Sequence, residues 1–453
     1  MIPYYIALLG YIPIAAIIMS ARNNALAFSL AYLGGLMFLP SGLDIEVPGV
    51  PDLTKDNVPG IGILIGTILF HPRIFDRFRL SKLDFLFLLG MLAAFVTAML
   101  NGFGPRFGLS QMVDVGLSFM LPVVLARIHL GTPASLRTFM VTLVLLACVY
   151  VPFSMWEFRM SPQFHTWTYG YFQHVFQQHM RGTFWRPIVF FYHALALGRF
   201  YALVAFIALY PARRDLVALF GPYGKFIFLI PLFGLLLEQS ISPVILFVFL
   251  CVLYHAVQWR HWVVWVMPVI AFTWLGMVFA GIEVGYGSVG RFTPVSSERA
   301  DSFEYRLQAL REYRSVILNR PWFGHGGFGH GRIEGRATDS QTLILLLNRG
   351  VVGTAVYLGW WFAVMWSAAR TAQRLRGTPM GKRAAAVAGF ASIALTFTVV
   401  DAAIEHFLLF LVASVFAIDQ WMRMTPGAEQ LPRQLSLAAV RRRLRGPAIE
   451  AAP

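Results

Sequence analysis

Eight arginines and no lysine fall between residues 282 and 340, against seven acids, Glu283, Glu298, Asp301, Glu304, Glu312, Glu334 and Asp339. Charge nearly cancels over the stretch, so position must decide which arginine can take an anion. Residues 300–319, ADSFEYRLQALREYRSVILN, read as an amphipathic helix that begins near Ser297 or Asp301 and stops before Pro321, because the residue ahead of a proline is pushed out of helical geometry. At 100° per residue, Phe303, Leu307, Leu310, Tyr313 and Ile317 form one stripe, with Arg306 inside it and Arg299 beside it. An inward arginine must meet an acid or an anionic ligand, since an unpaired buried charge is costly. Arg306 is therefore the candidate anion ligand; a structural pair with Glu298 or another acid, or a snorkelling side chain, is the alternative. The guanidinium fork, unlike an ammonium, matches phosphate oxygens two at a time.

The helix is followed by Arg320-Pro321-Trp322-Phe323-Gly324-His325-Gly326-Gly327-Phe328-Gly329-His330-Gly331, in which Gly324, Gly326 and Gly329 satisfy GxGxxG. A dinucleotide fingerprint needs a strand before it and a helix after it in a βαβ unit, and neither is expected here. The turn could still expose backbone N–H groups to phosphate. His325 and His330 lack an obvious third ligand, so no metal is expected.

A second polar stretch, 155–186, is rich in aromatic residues and histidine: Trp156, His165, Trp167, Tyr169, Tyr171, His174 and His179. Such residues build an interfacial belt, and they also build sugar-binding surfaces. The stretch ends in Arg181-Gly182-Thr183-Phe184-Trp185-Arg186-Pro187, and the apolar run after it holds His193 and Arg199. An ionisable group inside such a run is a functional-site candidate. Arg199 has the alternative of pairing with an acid of the bundle, and Glu238, Asp401 and Glu405 are within the candidate set, as is His406 for a shared site.

The elements that must position these residues are membrane-grade. The chain has 453 residues, 57% hydrophobic and only 13% charged, with a mean hydropathy of +0.64, far from soluble usage. A bilayer crossing takes roughly 20 apolar residues. Apolar runs fall near 3–20, 24–40, 58–71, 84–101, 111–128, 137–154, 187–210, 225–238, 241–258, 261–281, 341–367, 385–400 and 403–421. The expectation is an all-α, polytopic integral membrane bundle of about 12–13 transmembrane helices, with two large loops at 155–186 and 282–340. It forms a single transmembrane domain over 1–423, followed by a basic, poorly ordered tail over 424–453. The first run has no basic flank ahead of it and is read as a permanent helix, not a signal peptide.

The net charge of +15 does not imply nucleic acid, because basic residues collect in every second short loop: Arg73, Arg77, Arg79 and Lys82; Arg127 and Arg137; Arg213, Arg214 and Lys225; Arg260; Arg370, Arg374, Arg376, Lys382 and Arg383. The positive-inside rule makes these cytoplasmic. The tail with Arg441, Arg442, Arg443 and Arg445 joins them as a contact for anionic membrane lipid. The N-terminus and both long loops then lie outside the cytoplasm. Cys148 and Cys251 sit in apolar runs and form no disulfide framework.

In their order and spacing these residues resemble the O-antigen ligase and polymerase superfamily. Arg181-Gly182-Thr183-Phe184 before a proline is similar to the family's first arginine motif, with Arg186 as an alternative carrier. Arg306, then Pro321 and Gly324-x-Gly326, resembles its arginine, helix and Pro-x-x-Gly-x-Gly pattern. Asp339-Ser340-Gln341-Thr342-Leu343 leads to Gly350-x-x-Gly353, where the family usually carries a His-Asn or Asp-Asn pair. By that register Asp339 stands where ligases carry histidine, which favours a polymerase.

The resemblance implies a bacterial inner-membrane enzyme that transfers glycan at the periplasmic face from an undecaprenyl-pyrophosphate-linked donor to a hydroxyl of a second lipid-linked unit. No cofactor is implied; the partners are the lipid-linked donor and glycan acceptor, with a chain-length regulator or envelope-assembly proteins as further candidates. Arg181, Arg186 and Arg306, with Arg299, Arg199 and His193 near them, are implied to hold the pyrophosphate; Asp339, His325 or His330 would take the acceptor proton. The alternatives are an O-antigen ligase acting on a lipid A core, a transporter or flippase of a lipid-linked or anionic substrate, and a non-catalytic scaffold. A transporter predicts mid-membrane charge pairs and an internal repeat, and the sequence shows no repeat.

Overall fold

A computed structural model describes residues 1–45, 51–78, 80–282, 297–327, 330–334, 336, 338 and 340–400, with residues 77, 82, 297–307, 379 and 400 described in backbone only. Twelve of the thirteen apolar runs coincide with helices, and the thirteenth, 403–421, lies outside the described residues, as does the tail. Short helices α1 (Tyr4–Ile18), α2 (Asn24–Phe38) and α3 (Val58–Phe70) open the chain. α4 (Lys82–Leu100) and α5 (Gly104–Val115) follow; α5 runs through a π-helical turn, Gly116–Met120, into α6 (Leu121–His129). α7 (Pro133–Met160) leads to the first long loop, which holds α8 (Phe164–Tyr169) and a two-residue hairpin of β1 (Met180–Arg181) and β2 (Phe184–Trp185). Then come α9 (Ala194–Leu209), α10 (Arg213–Phe220), α11 (Leu229–Leu237), α12 (Ile241–Trp259) and α13 (Val266–Phe279). The second long loop carries α14 (Ser297–Asn319), ahead of α15 (Gln341–Arg374) and α16 (Pro379–Val400).

The protein is an all-α polytopic membrane protein, but fewer helices than expected are full spans. Among the described residues seven are long and apolar enough to cross a bilayer alone, and α9 with the segment Arg213–Phe226 forms a pair bent by 72° that passes the same test only when taken together, as a broken span or a re-entrant loop. α1, α2 and α3 are 15, 15 and 13 residues long, so at about 1.5 Å per residue they fall short of a hydrocarbon core about 30 Å thick. The run 225–238 contributes only the nine residues of α11.

α9 is the centre of the bundle: Phe200 to Ala208 are buried without a break, which is how a helix apolar on every side is stabilised. It packs with α2, α7 and α12 in one continuous core that includes Phe28, Tyr150 and Leu250. α1 and α3 approach backbone to backbone, since a Cβ on Gly62 would stand 2.6 Å from Ile12 O and one on Gly66 2.6 Å from Ala16 O. Small residues four apart permit this where lipid supplies no hydrophobic drive. Asp215 joins three elements by accepting from Arg137 Nε at 2.9 Å and Arg383 Nη2 at 3.0 Å, while Arg127 pairs with Asp84.

Candidate active site

The first long loop is folded around one carboxylate. Glu157, near the end of α7, takes four backbone N–H groups: Gln163 and Phe164 at 3.1 Å each on Oε1, Ile188 at 2.9 Å and Val189 at 2.8 Å on Oε2. Charge-assisted bonds of this kind are roughly twice as strong as neutral ones, and these clamp the start of the loop to its end. Val189 is held at φ +50° in the process. Between the clamped ends, the hairpin turns at Gly182 (φ +61°), where a left-handed residue is needed and glycine carries no penalty.

This clamp delivers Arg186 into the bundle. Its guanidinium is buried, with Nε donating to Glu238 O at 3.1 Å and Nη2 to Ser240 Oγ at 2.6 Å, at the junction of α11 and α12. Burial works against the charge and Glu238 offsets it. Glu238 is fully buried, and its carboxylate oxygens accept no hydrogen bond among the described residues. Three imidazoles stand beside Arg186. His174 lies 4.6 Å from His193 and 5.3 Å from His179, centroid to centroid, and His179 Nε2 is 3.3 Å from His174 Nδ1. His193 caps α9 by accepting from Leu195 N at Nδ1, 2.9 Å, so in the neutral ring the proton sits on Nε2. Arg181, Arg186 and His193 line a cavity of about 340 Å³ with Gln177, Gln178 and Leu195. Arg199 lies close enough to act on His193 electrostatically. The structure thus brings together four of the residues singled out in the sequence: Arg181, Arg186, His193 and Arg199.

The loop histidines are built to stay neutral. Burial, reinforced by His174 and Arg186, pushes His179 down to about 3; burial also lowers His174 and pushes His165 down to about 4. An unfolded histidine titrates near 6.5, so between the folded and unfolded values the unfolded chain binds more protons and stability rises with pH. The stabilisation is complete above about 6.5 and is lost as pH falls toward 4 and below. The melting midpoint of the detergent-solubilised protein is expected to drop steadily from pH 7 to pH 4, with a shallower slope in His179→Gln; a flat profile would refute the neutral cluster.

The second loop forms a separate assembly. Leu310, Tyr313 and Ile317 of the expected stripe are buried against α13, α15 and α16, through Leu275, Leu347 and Val399. The side chains of Arg306 and Arg299, like Phe303 and Leu307, lie outside the described residues, and so does Asp339. At Gly324, His325 and Gly326 the glycine-rich turn spends its N–H groups on the protein itself. α15 breaks at Gly350 (φ 62°, ψ −165°), and the segment after α14 docks into the break. Leu347 O and Asn348 O accept from His325 N at 2.7 Å and Gly326 N at 3.1 Å, while Val351 N and Val352 N donate to Pro321 O at 2.7 Å and Trp322 O at 3.1 Å. The two bonds an intact helix would make here, Val351 N to Leu347 O and Val352 N to Asn348 O, are replaced by these four to the loop. Gly324 N donates to Arg320 O at 3.1 Å, so the N–H groups of Gly324, His325 and Gly326 are all committed to protein.

The two histidines here differ. His325 Nε2 lies 3.1 Å from Val316 O and its ring packs under Gly331, a structural placement. His330 Nδ1 lies 2.7 Å from Gly327 O and the ring rests on Phe103 at 4.5 Å. A carbonyl accepts only, so Nδ1 carries the proton and Nε2 keeps its lone pair on an exposed ring. Arg320 is held by Asn101, whose amide also donates to Gly324 O at 3.1 Å.

Sequence reasoning did not single out Glu157, a lone acid near the end of an apolar run. Its only signal is that position, since its four partners are distant or backbone groups.

A family model described as O-antigen ligase matches residues 226–358. The match contains Arg306, the Pro321-x-x-Gly324-x-Gly326 loop, Asp339 and Gly350, and it leaves Arg181, Arg186, His193 and Arg199 outside. No curated protein matches the chain. Over residues 226–358 the chain is thus similar to the O-antigen ligase family, which supports lipid-linked glycan processing in general, and its helices are those of a multi-pass membrane protein.

Proposed function

We propose that this protein polymerises undecaprenyl-pyrophosphate-linked oligosaccharides at the periplasmic face of the bacterial inner membrane. The observation that carries the reading is the cavity where Arg181, Arg186 and His193 converge beside Arg199. As the glycosidic bond to the diphosphate breaks, its electron pair stays with the leaving oxygen. Preorganised cations in a low-dielectric site stabilise that growing charge without needing a metal. Arg306, which helical periodicity in the sequence puts on the apolar stripe, is the further cation proposed for the diphosphate.

The acceptor hydroxyl attacks the anomeric carbon and loses its proton to a base. His330 suits this role better than His325, because its Nδ1–H is held by a carbonyl and its Nε2 lone pair is accessible; Asp339 is the other candidate. The family description favours ligation as the second reading, while aspartate at 339, where ligases carry histidine, favours polymerisation. Positive-inside loops orient the active face to the periplasm and the C-terminus to the cytoplasm.

Reconstitution with a lipid-linked oligosaccharide tests this. Wild-type protein is expected to build a ladder of polymer, and Arg306→Ala to insert and fold yet elongate nothing. A single-step product on a lipid A core acceptor would establish the ligase, and full-length polymer from Arg306→Ala would remove that residue from the site.

A further inference from the structure

Two membrane spans are interrupted, and the interruptions lie within side-chain reach of each other. α5 passes into α6 through the π turn Gly116–Met120, a type of bulge frequent at functional sites, and α15 breaks at Gly350. Phe119 of the π turn meets Tyr357 of α15 edge-on, ring centroids 6.2 Å apart. Gln111, Asp114 and Ser118 follow one another at steps of three and four and share a helix face; Ser118 Oγ lies 3.4 Å from Asp114 Oδ1. Arg349, the residue before the break, lies within electrostatic reach of both Asp114 and Tyr357.

Asp114 and Arg349 stop short of contact: neither belongs to any ion pair of the described residues, and both are half-buried. Opposite charges held apart at membrane depth are costly and mark candidate sites. They also offer an acceptor on one helix and a fork of donors on the other. A diphosphate fits poorly, because Asp114 repels it. Vicinal sugar hydroxyls fit well, since each can donate to a carboxylate and accept from a guanidinium, and Gln111, Ser118 and the ring of Tyr357 extend the same chemistry. The site also adjoins the candidate base. Gln111 Oε1 would be 3.0 Å from a Cβ on Gly327, and Gly327 O is the carbonyl that holds His330.

We propose that the polar side chains at the two interruptions, Gln111, Asp114, Arg349 and Tyr357, form a subsite for the acceptor saccharide. This deepens the glycosyl-transfer reading above and rests on it for the sugar's role, though not for its binding.

The test uses full-length protein in detergent and, as probe, the lipid-free and phosphate-free oligosaccharide released by mild acid from the host's lipid-linked pool. Binding is read by saturation-transfer NMR. Asp114→Asn and Arg349→Lys, which keep size or charge but lose the complementary pair, are each expected to weaken binding on the order of tenfold. Arg260→Gln, at an exposed position outside both sites, is expected to bind the same probe as wild type does. Wild-type affinity in both Asp114→Asn and Arg349→Lys overturns the subsite, as does weakening that appears equally in Arg260→Gln. If one variant melts early, the other decides. Probe binding lost in these variants while the wild type transfers no glycan would sink the enzymatic reading and leave the subsite standing.

Discussion

Replacing Arg186 with alanine is expected to lower glycan transfer by about 10²–10³-fold, the usual consequence of removing one preorganised donor from a developing anion. The same change should also cost stability. Glu238 is fully buried beside Arg186, and removing the guanidinium takes a buried donor from Glu238 O and Ser240 Oγ and the neighbouring cation from the Glu238 side chain, at a cost of about 1–3 kcal/mol. The two effects separate in the double variant Arg186→Ala, Glu238→Gln, where no buried carboxyl is left without its cation. Its melting midpoint is expected to recover part of the loss while transfer stays absent. If the double variant recovers transfer as well as stability, Arg186 serves the fold alone and the cavity is not the donor site.

Gly350→Ala is expected to give a large loss of stability. Gly350 sits at φ 62°, ψ −165°, a region open in practice only to glycine, where another residue is strained by roughly 1–3 kcal/mol. A Cβ there would also collide with the backbone of Trp322, which no rotamer change can relieve. The loop would be pushed out of the break and its four backbone bonds lost together, with His330 displaced. Loss of transfer and a clear drop in melting midpoint should follow. Gly359→Ala on the same helix is the control: nothing lies within 4 Å of its added Cβ, and alanine is the better helix former by about 1 kcal/mol. Equal melting of Gly350→Ala and Gly359→Ala would mean that the break tolerates a side chain and the docked loop is dispensable.

Much of the fold was legible because bilayer-length apolar runs have few other uses, and the α14 stripe at Leu310, Tyr313 and Ile317 followed from helical periodicity. Helix count was less legible: an apolar run shows that a segment belongs in the bundle, whereas its unbroken length depends on where neighbours kink it, as at the bend between α9 and α10. For the site, residue type pointed to Arg181, Arg186, His193 and Arg199, since cations and imidazole bordering apolar sequence need partners. Their convergence could not be read, because it depends on Glu157 gathering four N–H groups from two distant segments.

The sequence by itself determined the class of protein, the helical segments and the residue types available for an anionic, sugar-bearing substrate, all of which follow from local periodicity and the cost of burying charge. Only the tertiary structure decided that the glycine-rich turn gives the N–H groups of His325 and Gly326 to a broken helix. It also decided that Arg186 reaches across to Glu238 and Ser240, and that Asp114 and Arg349 come within electrostatic reach of each other. Those are pairings between segments tens to hundreds of residues apart, and backbone hydrogen bonds carry no residue-specific signature by which a single sequence could announce them.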